Sequence, residues 1–71
     1  MTAREIKAAL ILKGVTQAAI AKEAGVSQTL VHLTIKGAER NRKVRSVIAK
    51  ILGIPVQEIW PETRLKKVVG G

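Results

Sequence analysis

Four glycines divide the chain into short segments, and their spacing limits the fold more than any other feature of the sequence. They are Gly14, Gly25, Gly37 and Gly53. Because glycine readily adopts the left-handed conformation in which many helices end, each of them marks a candidate helix C-terminus. The segments between them have the length of ordinary short helices.

Apolar residues recur at three- and four-residue spacing within each segment, as expected for helices with one buried face. They are Ile6 and Leu10 in the first segment, Ala18, Ile20, Ala21 and Ala24 in the second, Leu30, Val31 and Ile35 in the third, and Val44, Val47, Ile48, Ile51 and Leu52 in the fourth. No strand-like alternation persists. We therefore predict an all-α fold, a compact bundle of four to five short helices around one core.

The segment ends contain residues suited to helix boundaries. Thr16 and Ser27 are predicted to cap the second and third helices, because their side-chain oxygens can accept hydrogen bonds from exposed amides. Pro55 suits the first turn of a final short helix, which Pro61 prevents from continuing beyond about Ile59. We expect one domain over residues 1–62 and a basic, flexible tail over residues 63–71.

Charge and composition narrow the classes of partner. The chain carries 13 Lys and Arg against 5 Asp and Glu, a net charge of +8, which favours nucleic acid first and an anionic membrane surface second. Trp60 is the single aromatic residue, so stacking platforms for unpaired bases are missing and duplex DNA is favoured. The longest apolar run, Ala8 to Leu12, is far shorter than the roughly 20 residues of a membrane span.

The same composition argues against catalysis and cofactors. Without cysteine, there are no disulfides, thiolate zinc sites or cysteine nucleophiles. His32 has no second histidine to share a metal, and no general base accompanies Ser27. We therefore expect no enzyme activity, no metal, no cofactor and no small-molecule substrate.

Residues 17–31 combine the features that two steeply crossing helices need. Ala21 is small enough for close approach of the helices, and Gly25 can adopt a positive φ in the turn between them. The Val26 side chain would pack into the core and anchor that turn, and Ser27 would cap the helix that follows. This combination predicts a helix-turn-helix.

The helix from about residue 27 to 36 is the predicted reading helix of this motif. With its apolar residues facing inward, Gln28, Thr29 and His32 face outward near its start. Glutamine can pair bidentately with adenine, and threonine can offer a hydroxyl or a methyl group to a base edge. We predict that these three residues contact bases in the major groove.

A basic segment follows this helix and is the candidate clamp on the DNA backbone. The predicted phosphate contacts are Gln17, Ser27, Lys36, Arg40, Asn41, Arg42 and Lys43, and Arg45 adds charge to the same segment. If about five phosphates are neutralised, log affinity should fall against log salt with a slope near −4 to −5. The alternative is that this basic run is only a solvated helix face.

Residues 17–37 resemble the helix-turn-helix of the lambda-repressor-like superfamily. The matching residues are Gln17, Ile20, Ala21, Ala24, Gly25, Val26, Ser27 and Val31. Thr34 occupies a position that is aliphatic in most of those repressors, and Ile35 follows one position later. Together with the ending from Leu52 to Pro61, the chain is most similar, over residues 3–62, to the Ner-type regulators of transposable phages and their bacterial relatives.

This resemblance implies a cofactor-free repressor of transcription, which in phages shuts down early promoters. It also implies a cytoplasmic bacterial protein, held at the nucleoid through DNA. Two other classes remain open: a DNA-binding antitoxin or protein-interaction module of the same fold, and a peripheral membrane binder using Ile11 and Leu12. Whether one copy binds, or a homodimer that forms only on DNA, also remains open.

Overall fold

The computed structural model describes residues 1–61. Within them the regular secondary structure consists of five α-helices: α1 (Ala3–Leu12), α2 (Gln17–Ala24), α3 (Gln28–Lys36), α4 (Arg42–Leu52) and α5 (Val56–Ile59). The predicted all-α bundle of four to five short helices is confirmed. The predicted tail, residues 63–71, lies outside the described residues.

Side-chain oxygens cap the first four helices at their N-termini. The caps predicted at Thr16 and Ser27 are confirmed: Thr16 Oγ1 accepts from the amide of Ala19 at 3.1 Å, and Ser27 Oγ accepts from that of Leu30 at 3.2 Å. Asn41 does the same for α4, accepting from the amide of Val44 at 3.0 Å. These bonds satisfy amides that have no partner within their own helix.

A reciprocal capping box, which the sequence analysis did not identify, begins α1. The Thr2 side chain accepts from the amide of Glu5, and the Glu5 carboxylate accepts from the amide of Thr2 at 2.7 Å. At the other end of the chain, Pro55 is the N-cap of α5 and not a residue of its first turn. Its fixed φ still suits the approach to a helix.

The buried core draws on all five helices. It comprises Ile6, Leu10, Ile20, Ala21, Ala24, Val31, Ile35, Val44, Ile48, Ile59 and Trp60. Ala18, which we expected on the apolar side of α2, is exposed instead. The face of α2 is set by Ile20, Ala21 and Ala24, and Ala18 falls outside it because each residue advances the helix by about 100°.

Trp60, the residue that follows α5, is joined by a hydrogen bond to the C-terminal half of α3. Its ring is 5% exposed, as expected for a structural plug, and its indole Nε1–H donates to the carbonyl of Thr34 at 3.1 Å. The hydroxyl of buried Thr34 donates to the carbonyl of Leu30 at 2.7 Å. The hydroxyl is thereby satisfied within α3, and the Trp60 bond connects α3 to the residue that follows α5.

None of the helices formed by residues 1–61 is long and apolar enough to cross a membrane.

Candidate DNA interface

The turn between α2 and α3 has the geometry that the sequence predicted. Gly25 has φ +72°, and the amides of Gly25 and Val26 both donate to the carbonyl of Ala21. A Cβ at Gly25 would have open space around it, so glycine is required there by its backbone conformation and not by crowding. Val26 is half-buried against the core, and small Ala21 is buried in α2.

The α3 helix has a buried side and an exposed side. Val31, Thr34 and Ile35 are fully or nearly fully buried against the other helices. At about 100° per residue, residues 28, 29, 32, 33 and 36 lie together in one arc of about 140° that contains none of these buried residues. The helix-turn-helix therefore presents one continuous strip of α3 to the outside.

Two of the three predicted base-contacting residues are exposed on this strip. Gln28 and Thr29 lie in the first turn of α3 and are exposed, whereas His32 is half-buried one turn later. All three share one side of the helix, as their spacing predicted. Their contacts with bases stay a prediction.

Leu33 also lies on the exposed strip, although the sequence analysis did not single it out. It is half-buried, and it is not one of the hydrophobic residues that pack against the core. An aliphatic side chain beside Thr29 and Lys36 can contact the methyl group of thymine. Helical spacing from Val31 and Ile35 could have revealed it, because position 33 falls outside the arc that those two residues define.

The predicted phosphate-contacting residues fall into two groups on the structure. Lys36 ends α3, and Arg40, Arg42 and Lys43 follow it through the loop into the first turn of α4; all four are exposed. Ser27 is exposed where α3 begins, Gln17 is the half-buried first residue of α2, and Asn41 is half-buried with its side-chain oxygen engaged as the α4 cap. Contacts from all seven to phosphates stay predictions.

Arg45 does not belong to this basic surface, contrary to the sequence analysis. It is 9% exposed, and its guanidinium carbon lies 4.8 Å from the centre of the Trp60 ring. Position 45 is adjacent to the buried pair Val44 and Ile48, so α4 turns it inward. Cation–π stacking on the indole face stabilises the charge there.

The first turns of α2, α3 and α4 contain no acidic residue, unlike that of α1 with Glu5 or α5 with Glu58. Acidic side chains are ordinarily favoured there because the helix dipole is positive at its N-terminus. In α4 the first turn instead contains Arg42 and Lys43. Two cations at the positive end of a helix disfavour it locally, unless an anion binds beside them.

Comparison with known proteins places this arrangement in a family. The model of a family described as winged helix-turn-helix DNA-binding matches residues 1–68. No curated protein and no solved structure gives a significant match. Residues 1–61 show the helix-turn-helix of that description and no β-strand. The match covers nearly the whole chain, which therefore belongs to the winged helix-turn-helix DNA-binding family.

Proposed function

We propose that this protein is a sequence-specific regulator of transcription that inserts α3 into the major groove of duplex DNA. The observation that carries the proposal is the division of α3 into a buried side and an exposed side. Gln28 and Thr29 stand at the start of the exposed side, and a run of exposed cations follows its end. Hydrogen-bonding groups for bases are thus flanked by charges for phosphates.

The dimensions of α3 suit this role. Nine residues give a helix roughly 13 Å long, and a helix with its side chains is about 10–12 Å across. The major groove of B-form DNA is about 12 Å wide and displays a distinct pattern of donors, acceptors and methyl groups for each base pair. Gln28 and Thr29 lie at the N-terminal end of α3, which is the end that reads bases in helix-turn-helix proteins.

The distribution of charge supports backbone binding at the ends of the strip. With their first turns free of acidic residues, α2, α3 and α4 offer N-terminal amides and a positive dipole end to an anion. Arg42 and Lys43 add two full charges at the start of α4. A phosphate bound there would offset the repulsion between these cations and the dipole.

The finer assignment is to a repressor of the phage or prophage type, acting by occupying a promoter. It rests on the resemblance of residues 3–62 to lambda-repressor-like and Ner-type regulators. Thr34, at a position that is aliphatic in most of those repressors, and the following Ile35 are both buried in α3. Ile59 and Trp60, in the C-terminal stretch that is also similar, are buried as well. We propose that the protein acts by binding, without catalysis or a cofactor, in the bacterial cytoplasm.

A second candidate function is that of a DNA-binding antitoxin. Exposed Ile11 and Leu12, at 74% and 87%, favour a protein contact on α1. Copurification of a second polypeptide at stoichiometric amounts from the native host would support this candidate. Recovery of the chain alone, with promoter-proximal sites bound in the same cells, would support the repressor.

Selection of bound duplexes from a random pool tests the main proposal. The wild-type chain should enrich a defined site, and Gln28→Ala combined with Thr29→Ala should remove preference for it while binding to unrelated duplex persists. Loss of one good bidentate contact alone should lower discrimination by about 1–3 kcal/mol. Thermal unfolding should confirm that the double variant is folded, since both positions are exposed. Retained preference in the folded variant would contradict the proposal.

A further inference from the structure

We propose that the apolar surface joining the end of α1 to the groove between α2 and α4 is where a second copy of the chain docks on DNA. This inference rests on the proposed DNA-binding function and adds to it a partner and a surface. We call the region the docking surface. The members that the argument uses are Ile11, Val15, Glu23, Val47, Lys50 and Ile51.

The docking surface combines a concave part with a projecting part. The α2–α4 groove has a volume of about 560 Å³ and a largely aliphatic lining that includes Val15, Val47 and Ile51. Val15 also lines the neighbouring depression beside Ile11, so the two are continuous. Ile11 lines this second depression, and Ile11 and its neighbour Leu12 are the most exposed large hydrophobic residues of residues 1–61. Contiguous exposed apolar surface of this kind marks interaction sites.

The charges in the groove favour a second copy over another partner. Glu23 lines it from α2 and Lys50 from α4, and both are exposed. A two-fold symmetric contact brings the same patch of both chains together. Each contact between two different positions therefore occurs twice, once in each direction. Glu23 of each chain can then face Lys50 of the other. A groove with one acid and one base on opposite helices is therefore complementary to itself.

The position of the docking surface leaves the DNA-reading strip free. No residue of α3 lines the groove or the depression beside it, and of the predicted phosphate contacts only Gln17 lines the depression. Two docked copies could therefore each present α3 to the same duplex. Dimeric helix-turn-helix proteins read two half-sites one helical turn apart in this way.

The size and charge of the chain indicate that DNA is needed for the contact. A stable interface uses about 20–30 residues on each side, whereas the groove and the depression are lined by 13 different residues. Each chain also carries a net charge of +8, which opposes association in free solution. Duplex DNA neutralises much of this charge and holds two copies next to each other.

Charge reversal tests the proposal directly. On a duplex with two copies of the selected half-site, the wild-type chain should bind cooperatively, measured against a duplex with one half-site. Glu23→Lys or Lys50→Glu should each lower this cooperativity about threefold to tenfold, because each creates two like-charge pairs across the contact. Lys22→Glu makes the same charge change as Lys50→Glu at an exposed position of α2 outside the groove. It should leave the cooperativity unchanged.

Mixing the two single variants separates contact between chains from effects within one chain. A Glu23→Lys chain beside a Lys50→Glu chain restores both opposite-charge pairs, so the mixture should recover most of the wild-type cooperativity. Unchanged cooperativity in the single variants, or no recovery on mixing, would overturn the docking surface and leave it to another partner. Binding of a single chain to every selected site would overturn it as well. Failure to select any site would instead overturn the proposed function.

Discussion

Single residues on α3 divide between packing and recognition according to their position on the helix. Thr34 and Val31 are buried, whereas Gln28 and Thr29 one or two turns earlier are exposed. Helical spacing predicted the environments of Val31, Gln28 and Thr29 from the sequence, but the burial of Thr34 was not predicted. Leu33 was not predicted as a base contact, because only hydrogen-bonding side chains were considered on the exposed side of α3.

Leu33 should contribute to recognition of one thymine in the selected site. Replacing that thymine by uracil removes only the C5 methyl group, which should weaken wild-type binding about fourfold, the value of one buried methyl-sized group. A scan of thymine-to-uracil substitutions across the site would identify the position. In Leu33→Ala the same substitution should have almost no effect, while Leu12→Ala, at an exposed position of α1, should retain the wild-type response. A site insensitive to every such substitution would refute this role.

Trp60 should be required for stability through its hydrogen bond as well as its volume. Trp60→Phe keeps an aromatic ring but removes the donor to the carbonyl of Thr34, so we expect a loss of about 1–2 kcal/mol in the free energy of unfolding. Urea denaturation followed by circular dichroism measures it. A variant as stable as the wild type would show that the Nε1 bond contributes nothing.

At the scale of helices, the ends were easier to predict than the faces. Glycines and capping hydroxyls act locally, so the boundaries at Thr16, Gly25 and Ser27 followed from the sequence. Which way a short helix turns depends on the neighbours it packs against. For this reason Ala18 and Arg45 were assigned the wrong environments: an alanine suits either side of a helix, and the stacking of Arg45 on Trp60 joins residues far apart in the sequence.

The start of α4 should show opposite effects on stability and on binding. Removing two cations from the positive end of a helix dipole, in Arg42→Ala with Lys43→Ala, should leave the fold as stable or stabilise it by about 0.3–1 kcal/mol per charge. The same change should weaken binding to all duplexes and flatten the slope of log affinity against log salt by about two. Thermal unfolding and salt titrations measure the two effects.

Lys50→Ala, at the other end of α4, is the matched control on a duplex with a single half-site. It should keep the wild-type slope, because Lys50 lies in the last turn of α4, roughly 12 Å along the helix axis from Arg42. If Lys50→Ala flattens the slope as much as the double variant does, the proposed phosphate contacts of α4 do not lie at its start.

For the whole molecule, the fold class followed from the sequence because four glycine-ended segments with helical spacing leave few alternatives to a small bundle. The side of the bundle that meets DNA was harder to assign, since cations occur on several helices. The structure narrows this choice by burying Arg45 and by exposing Lys36, Arg40, Arg42 and Lys43 together after α3. The net charge favours a polyanionic partner, whereas the packing indicates which surface is available to it.

The central claim is that the exposed strip of α3 enters the DNA. Nuclear magnetic resonance titration of the isotope-labelled chain with its selected duplex tests it most directly. The account predicts the largest amide shift changes in residues 28–36 and at the starts of α2 and α4, with little change in the first turn of α1. Large changes confined to α1 and α5, with α3 unperturbed, would contradict it.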